Sequence, residues 1–446
     1  MPVTSCLAGA AAEGASDMSA LALHGGTPIR TEPYNAWPEF DESEIEAVVN
    51  ALRTGNWASG EGDRSLTNFE RSFAAYQGAE YCLAVSSGTS ALEIGLRALR
   101  LPRGSEVILS PYTYMASPTA VLNVGLVPVF VDMDPETYNI DPWLIEAAIT
   151  DRTGAIMTVH FGGLPCDMRA VLDIARRHDL KVIEDAAHAH GSTWNDRGLG
   201  TIGDVGCFSL GPGKNLTPGV GGAVMTNDLE IYKHAIAYSE MDIGGRVMRF
   251  DEMDTDAQAA EPDEWFPYSA GNRRLGGVLA ALASAQLDRL ESQTRRRSEN
   301  GRYVAELLED VDGLASRRED PYVTRNANHL HIVRYDPEGF DGLPRDRFVE
   351  AMQAEGLGIR SGYRRPMNRA DLFSDPNGEL SLVWPRGDTG PDVDYASMSC
   401  PHAERACATE DLWITQNMML SGPQAMEEIV EGAEKVRDNL ATLGAS

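Results

Sequence analysis

From about residue 80, short apolar runs alternate with stretches whose apolar residues recur at helical spacing. YCLAVSS gives way to TSALEIGLRALRL, SEVILSP to the helical TYMASPTAVLNVG, and GAIMTVHF to MRAVLDIARRH before KVIEDA. Short continuous runs suit strands buried on both faces, and the spaced pattern suits amphipathic helices. The alternation therefore predicts parallel strands joined by helices. With PVFVDMD, GCFSL and GGAVMTN included, about seven strands fall in one large domain that ends near residue 245.

The pattern then changes. The stretch 251–264, DEMDTDAQAAEPDE, is polar and acidic and reads as a surface insertion or lid. The run GGVLAALASAQLDRLESQTRRRSENGRYVAELLEDV predicts a long helix between two lobes. After it, HLHIVRYD, RDRFVEAMQAEG and EEIVEGAEKVRDNLATL predict a smaller α+β domain. The first residues, MPVTSCLAGAAAEGASDMSA, lack the basic and long apolar regions of a signal peptide, so a flexible leader is expected. The expected division is a leader over 1–20, an N-terminal segment with the large domain over 21–275, and the connecting helix with the small domain over 276–446.

Charge narrows the choice of partners. The 446 residues carry 67 acidic against 38 basic side chains, a formal charge of −29. Phosphate backbones and anionic lipids need basic patches, so neither nucleic acid nor membrane is expected as a partner. No apolar run approaches the roughly 18 residues of a membrane-spanning helix. The cysteines are scattered, with no CxxC pair and no zinc-like spacing. That suits free thiols in the cytoplasm and no metal site.

Lysine is rare: Lys181, Lys214, Lys233 and Lys435 are the whole supply. Lys214 sits in DVGCFSLGPGKNLTPGVGGAVMTN, directly after a Gly-Pro-Gly loop. A Walker A loop would need glycine where Phe208 stands and Ser or Thr where Asn215 stands, so a P-loop is excluded. In open α/β sheets ligands gather at the carboxyl ends of strands. Ser87-Gly88-Thr89-Ser90 follows one strand and opens a helix, which offers an anion site or an ordinary N-cap. Asp185 ends another strand, where a buried carboxylate needs a cation or donors, or else caps the next turn. Ser209 ends a third, five residues before Lys214. An anion pocket, an acid and a reactive lysine on neighbouring strand ends are what pyridoxal phosphate requires.

Several stretches carry a resemblance: SSGTSAL (86–92), PYTYMAS (111–117), HFGGLPCDM (160–168), IEDAAHAHG (183–191), GDVGCFSLGPGKNLTPGVGGAVMTND (203–228) and AGNRRL (270–275). Over about residues 21–437 the chain resembles the DegT/DnrJ/EryC1/StrS family of pyridoxal-phosphate aminotransferases. The resemblance implies an α/β fold of type I, aspartate aminotransferase-like, with a mostly parallel seven-stranded sheet and a smaller C-terminal α+β domain. It implies Lys214 as the Schiff-base lysine and Asp185 as partner of the pyridinium nitrogen. Gly88, Thr89 and Ser209 would hold the phosphate, Tyr114 would stack on the ring, and His188 would stand beside the ring oxygen. Asn272 would reach the phosphate site of the neighbouring subunit, which implies a homodimer with shared active sites.

The implied reaction moves an amino group from L-glutamine or L-glutamate to a ketone on a sugar or cyclitol. The opening LALHGGTPIRTEPYNAWPEF, the EDAAHAHG stretch and the tail CPHAERACATEDLWITQNMML resemble the branch that makes aminocyclitols and aminohydroxybenzoate. Two departures bear on substrate rather than cofactor. Arg273 stands where the family usually has an aromatic, and the acidic insertion is longer than usual. The alternatives are another pyridoxal-phosphate enzyme of the same family, aminohydroxybenzoate synthase-like or a dehydratase, and a non-catalytic regulator. The dehydratases replace the lysine with histidine, whereas this chain has Lys214. A regulator would have no reason to keep Lys214, Asp185 and Ser209 together.

Overall fold

The computed structural model describes residues 19–55, 57, 64–240, 271–374 and 393–444. The acidic insertion 251–264 and nearly all of the leader lie outside the described residues. In chain order the first strands are β1 (Tyr81–Val85), β2 (Glu106–Leu109), β3 (Val127–Phe130), β4 (Thr153–Val159) and β5 (Lys181–Asp185). They are followed by β6 (Thr193–Trp194), β7 (Arg197–Gly198), β8 (Val205–Ser209) and β9 (Gly222–Thr226). One seven-stranded sheet runs in the order β1-β9-β8-β5-β4-β2-β3. Its pairs are parallel from β8 through β3, and β9 is antiparallel to both of its neighbours.

The apolar runs are explained by burial on both faces. In β1, Leu83 and Val85 join one core cluster while Cys82 and Ala84 join another; in β2, Val107 and Leu109 join the first cluster and Ile108 the second. Helices Gly88–Ala98 and Leu229–Ser239 cover the first face, and Ser65–Gln77 covers the second through Phe69 and Phe73. Each fully buried Leu or Phe of this kind stabilises the fold by about 1.5–3 kcal/mol.

A second set of strands, β10 (Leu314–Ser316), β11 (Val323–Arg325), β12 (Leu330–Tyr335), β13 (Arg360–Ser361) and β14 (Asp411–Thr415), follows. Four of them form an antiparallel sheet in the order β10-β12-β14-β13, while β11 joins the short hairpin β6-β7. Helices Arg345–Ala354 and Pro423–Asp438 pack on the four-stranded sheet through Phe348, Met352, Met426 and Ile429. The long helix is a single element, Gly277–Leu308. It gives Leu287 and Leu290 to the large sheet's core and Val304 and Leu308 to that of the smaller sheet.

The N-terminal stretch departs from the division drawn on sequence. Leu21 is buried in the smaller sheet's core, the Ala22 N–H donates to Glu355, Lys435 donates to the Thr27 carbonyl, and the Asn35 N–H donates to Ser421. Residues 21–35 therefore pack on the C-terminal unit, although the large sheet follows them in sequence. Nothing in their apolar pattern distinguishes the two docking faces.

Candidate active site

Because β1, β8, β5, β4 and β2 point the same way, their carboxyl ends meet along one edge of the sheet. A cavity of about 340 Å³ opens there. At the end of β1, Ser87 is extended and its side chain accepts from the Ser90 N–H at 3.1 Å, which caps helix Gly88–Ala98. The helix's first N–H groups, at Gly88 and Thr89, have no intrahelical carbonyl to bond. A Cβ at position 88 would lie 2.5 Å from Ser209 Cβ, so only glycine lets the Ser209 strand end close against this helix start. The result is a cradle of backbone donors and a hydroxyl at the positive end of a helix, suited to a phosphate.

Asp185 ends β5 in the same cavity. Its Oδ2 accepts from the Ser117 hydroxyl at 2.7 Å and its Oδ1 from the Ala187 N–H at 3.1 Å. Burial pushes the carboxyl above the usual carboxylate range, and the Ser117 and Ala187 hydrogen bonds oppose that rise. The preceding residue, Glu184, points to the opposite side of the strand. It accepts from His160 Nε2 at 2.9 Å and from the backbone N–H groups of Gly200, Ile202 and Gly203.

Lys214 follows Gly211-Pro212-Gly213 and donates its own backbone N–H to the Gly211 carbonyl at 3.0 Å. The next side chain, Asn215, anchors the loop by donating to the Ala327 carbonyl at 3.0 Å. Desolvation brings the Lys214 amine down to about 8, against the attraction of Asp185. His188 Nδ1 accepts from the Gly162 N–H at 3.1 Å. An imidazole nitrogen that accepts carries no proton, so the neutral ring keeps its proton on Nε2. Burial, and then the nearby Lys214 charge, hold His188 well below the ordinary histidine value.

Of the residues singled out on sequence, Gly88, Thr89, Tyr114, Asp185, His188, Ser209 and Lys214 all line this cavity. Asn272 does not line it. It is exposed, accepts from Arg274 Nε at 3.3 Å, and lies next to Arg273, whose carbonyl bonds the Ser86 N–H beside the phosphate cradle. Arg273 itself pairs with Glu93 at 3.0 Å. Sequence reasoning missed Thr113, Ser117 and Tyr363, which also face the cavity. Ser117 lies one helical turn beyond Tyr114, inside a stretch already quoted, so that spacing was a usable signal. Tyr363 comes from the loop after β13, and no local pattern ties it to the other residues.

The donors suit pyridoxal phosphate: an anion cradle, a buried carboxylate that gains from a protonated partner, and an amine easily made neutral. An L-glutamine:2-deoxy-scyllo-inosose aminotransferase of Micromonospora echinospora is 34% identical over 432 residues, covering 95% of this chain and 99% of the relative. The crystal structure of a 3-amino-5-hydroxybenzoic acid synthase is 30% identical with a TM-score of 0.75, over 93% of this chain and all of that one. A Bacillus subtilis protein, NtdA, solved with bound pyridoxamine phosphate, matches at 26% identity and a TM-score of 0.72, over 92% of this chain and 86% of that one. The profile of the DegT/DnrJ/EryC1/StrS aminotransferase family covers residues 38–389 and with them every residue named as lining the cavity. This chain thus belongs to the DegT/DnrJ/EryC1/StrS aminotransferase family, and its cofactor is pyridoxal phosphate.

Proposed function

We propose that this aminotransferase moves an amino group from L-glutamine, or L-glutamate, onto the ketone of an inosose-like cyclitol, with keto-sugars as the second acceptor class, in natural-product or aminosugar biosynthesis. The reading rests on the cavity in which Lys214, Asp185 and the phosphate cradle converge. The substrate class is drawn from the likeness to the Micromonospora relative over nearly the whole of both chains.

When bound, the cofactor supplies an electron sink for the substrate carbon. Gly88, Thr89 and Ser209 would hold its phosphate, Tyr114 would stack on its ring, and His188 would donate Nε2–H to the ring oxygen. Asp185 would keep the ring nitrogen protonated by a charge-assisted hydrogen bond. Lys214 would hold the cofactor covalently at rest. Once displaced by the amino donor, its amine would carry the proton between substrate and cofactor, which requires it within about 3 Å of both positions.

The working unit in this reading is a homodimer with shared sites. Tyr114 is 65% exposed although it faces the cavity, Val220 in the same cavity lining and the neighbouring Met115 are exposed as well, and a second copy would cover them. Asn272 of one subunit would then reach the phosphate site of the other. Mixing Asn272→Ala chains with Lys214→Ala chains tests this, because a contribution in trans leaves one intact site per heterodimer. About half of the wild-type activity per heterodimer is expected, and recovery no higher than either parent would refute sharing.

We also place the domain boundary near residue 275 and the protein in the cytoplasm, where buried thiols such as Cys82 and Cys166 stay reduced. No described helix is long and apolar enough to cross a membrane. The substrate reading is tested with candidate amines run in reverse. Aminocyclitols should shift the bound cofactor's visible absorbance toward its amine form at lower concentration than nucleotide-linked aminosugars. The opposite ranking would move the assignment to keto-sugars.

A further inference from the structure

Thr113, just before helix Ala116–Asn123, and Ser117, in its first turn, line the cavity together with Tyr114 and Asp185. Ser117 donates to Asp185 Oδ2 at 2.7 Å. A serine has one proton to give, and here it is given to the carboxylate. Ser117 Oγ also lies 2.8 Å from Thr113 Oγ1, so Thr113 must be the donor of that second bond. The chain of hydrogen bonds therefore has one direction, from Thr113 to Ser117 to Asp185. Thr113 and Ser117 are each 1% exposed and Asp185 5%, so water is a poor substitute for either hydroxyl.

We propose that Ser117, polarised by Thr113, is a positioning residue for Asp185: the two hydroxyls keep the carboxylate ionised and aim it at the protonated ring nitrogen of pyridoxal phosphate. The inference rests on the Asp185 pairing put forward above. A donated hydrogen bond favours the charged form of a carboxylate, and a chain of donors polarises each member in turn. Without Ser117 the Ala187 N–H is the one hydrogen bond the carboxylate retains among the described residues. A desolvated carboxylate held so weakly would compete with the ring nitrogen for its proton. Local helix capping is not what Ser117 does, since its partner lies on β5, 68 positions away in sequence.

The test uses the whole enzyme with Ser117→Ala and, because valine matches threonine in shape, Thr113→Val. Ser117→Ala should bind pyridoxal phosphate about tenfold more weakly and lower kcat by about 10–100-fold, with KM for L-glutamine within about threefold. Thr113→Val should move the same quantities in the same direction by about threefold. Wild-type cofactor affinity and kcat in Ser117→Ala would overturn the proposal, and so would a variant that only loses thermal stability. Asp185→Asn serves as the control. If it is inactive while Ser117→Ala is unaffected, the hydroxyl chain fails and the Asp185 pairing stands. If Asp185→Asn itself turns over normally, the underlying reading fails.

Discussion

Two buried carboxylates lie on either side of the junction between the sheets, and they are answered differently. Asp411, at the start of β14, accepts from Arg345 Nη1 at 2.6 Å, from the Tyr112 hydroxyl at 2.5 Å and from the Gly362 N–H at 3.2 Å. Asp185, at the end of β5, has a hydroxyl and a backbone N–H but no cation within hydrogen-bond reach among the described residues. Burial pushes both carboxyls upward, Asp411 to about 6 even with Arg345 alongside. At Asp411 the protein supplies the cation itself, through Arg345. Asp185 is left one cation short, and the missing charge is what a protonated cofactor ring would bring.

The largest expected effect separates the two residues by what fails. Asp185→Asn keeps the shape and both neighbours but removes the charge that would hold the ring nitrogen's proton. Turnover should fall by about 10²–10⁴-fold, with thermal stability within a few degrees of wild type. Asp411→Asn should do the reverse. It leaves Arg345 buried without its carboxylate, at a cost to stability of about 3 kcal/mol, and leaves cofactor affinity nearly unchanged. Denaturation curves and cofactor titrations on the two variants decide it. Equal stability losses would break the comparison.

The second prediction sharpens it. If Lys214 were to Asp185 what Arg345 is to Asp411, the pair would hold the lysine protonated far above neutral pH. Instead desolvation prevails and lowers the amine from the usual 10.5 to about 8. The neutral amine is the form that attacks an aldehyde. Covalent capture of pyridoxal phosphate by the cofactor-free enzyme should therefore rise about tenfold per pH unit below pH 8 and level off above it. The absorbance of the bound cofactor reports the rate. A rise that continues to pH 10 would mean that Asp185 and Lys214 form a resident ion pair.

These contrasts also mark what the sequence could and could not tell. Apolar runs such as YCLAV and EVIL betray strands because both their faces are covered, and the seven-stranded sheet follows. The two-residue strands of the hairpin, Thr193–Trp194 and Arg197–Gly198, are too short to carry any period. In the site, the strand ends are legible one by one, since each follows its own apolar run. In KVIED two acids stand side by side, and only the pleat decides that Asp185 meets the cavity while Glu184 meets His160. Tyr363 and the Arg345–Asp411 pair depend on contacts between distant segments, which no local pattern encodes.

The smallest expected effect is the finest test, because it deletes the same kind of group at each carboxylate. Tyr112→Phe removes one hydroxyl donor from Asp411, as Ser117→Ala removes one from Asp185. The ring of Tyr112 is fully buried and packs edge-on against Phe161 at 4.7 Å and Tyr138 at 5.5 Å, contacts that phenylalanine keeps. Trp413 Nε1–H loses its acceptor, the Tyr112 oxygen at 3.2 Å, while Asp411 retains Arg345 and Gly362. The cost should be about 1–2 kcal/mol of stability, a drop of about 1–2 °C in Tm, with cofactor affinity within about twofold of wild type. A carboxylate that already has its cation loses a little stability with one donor. A carboxylate waiting for its cation loses the ability to receive it. If Tyr112→Phe weakens pyridoxal phosphate binding as much as Ser117→Ala does, the two sites are one electrostatic network, and the division between a structural and a functional carboxylate must be given up.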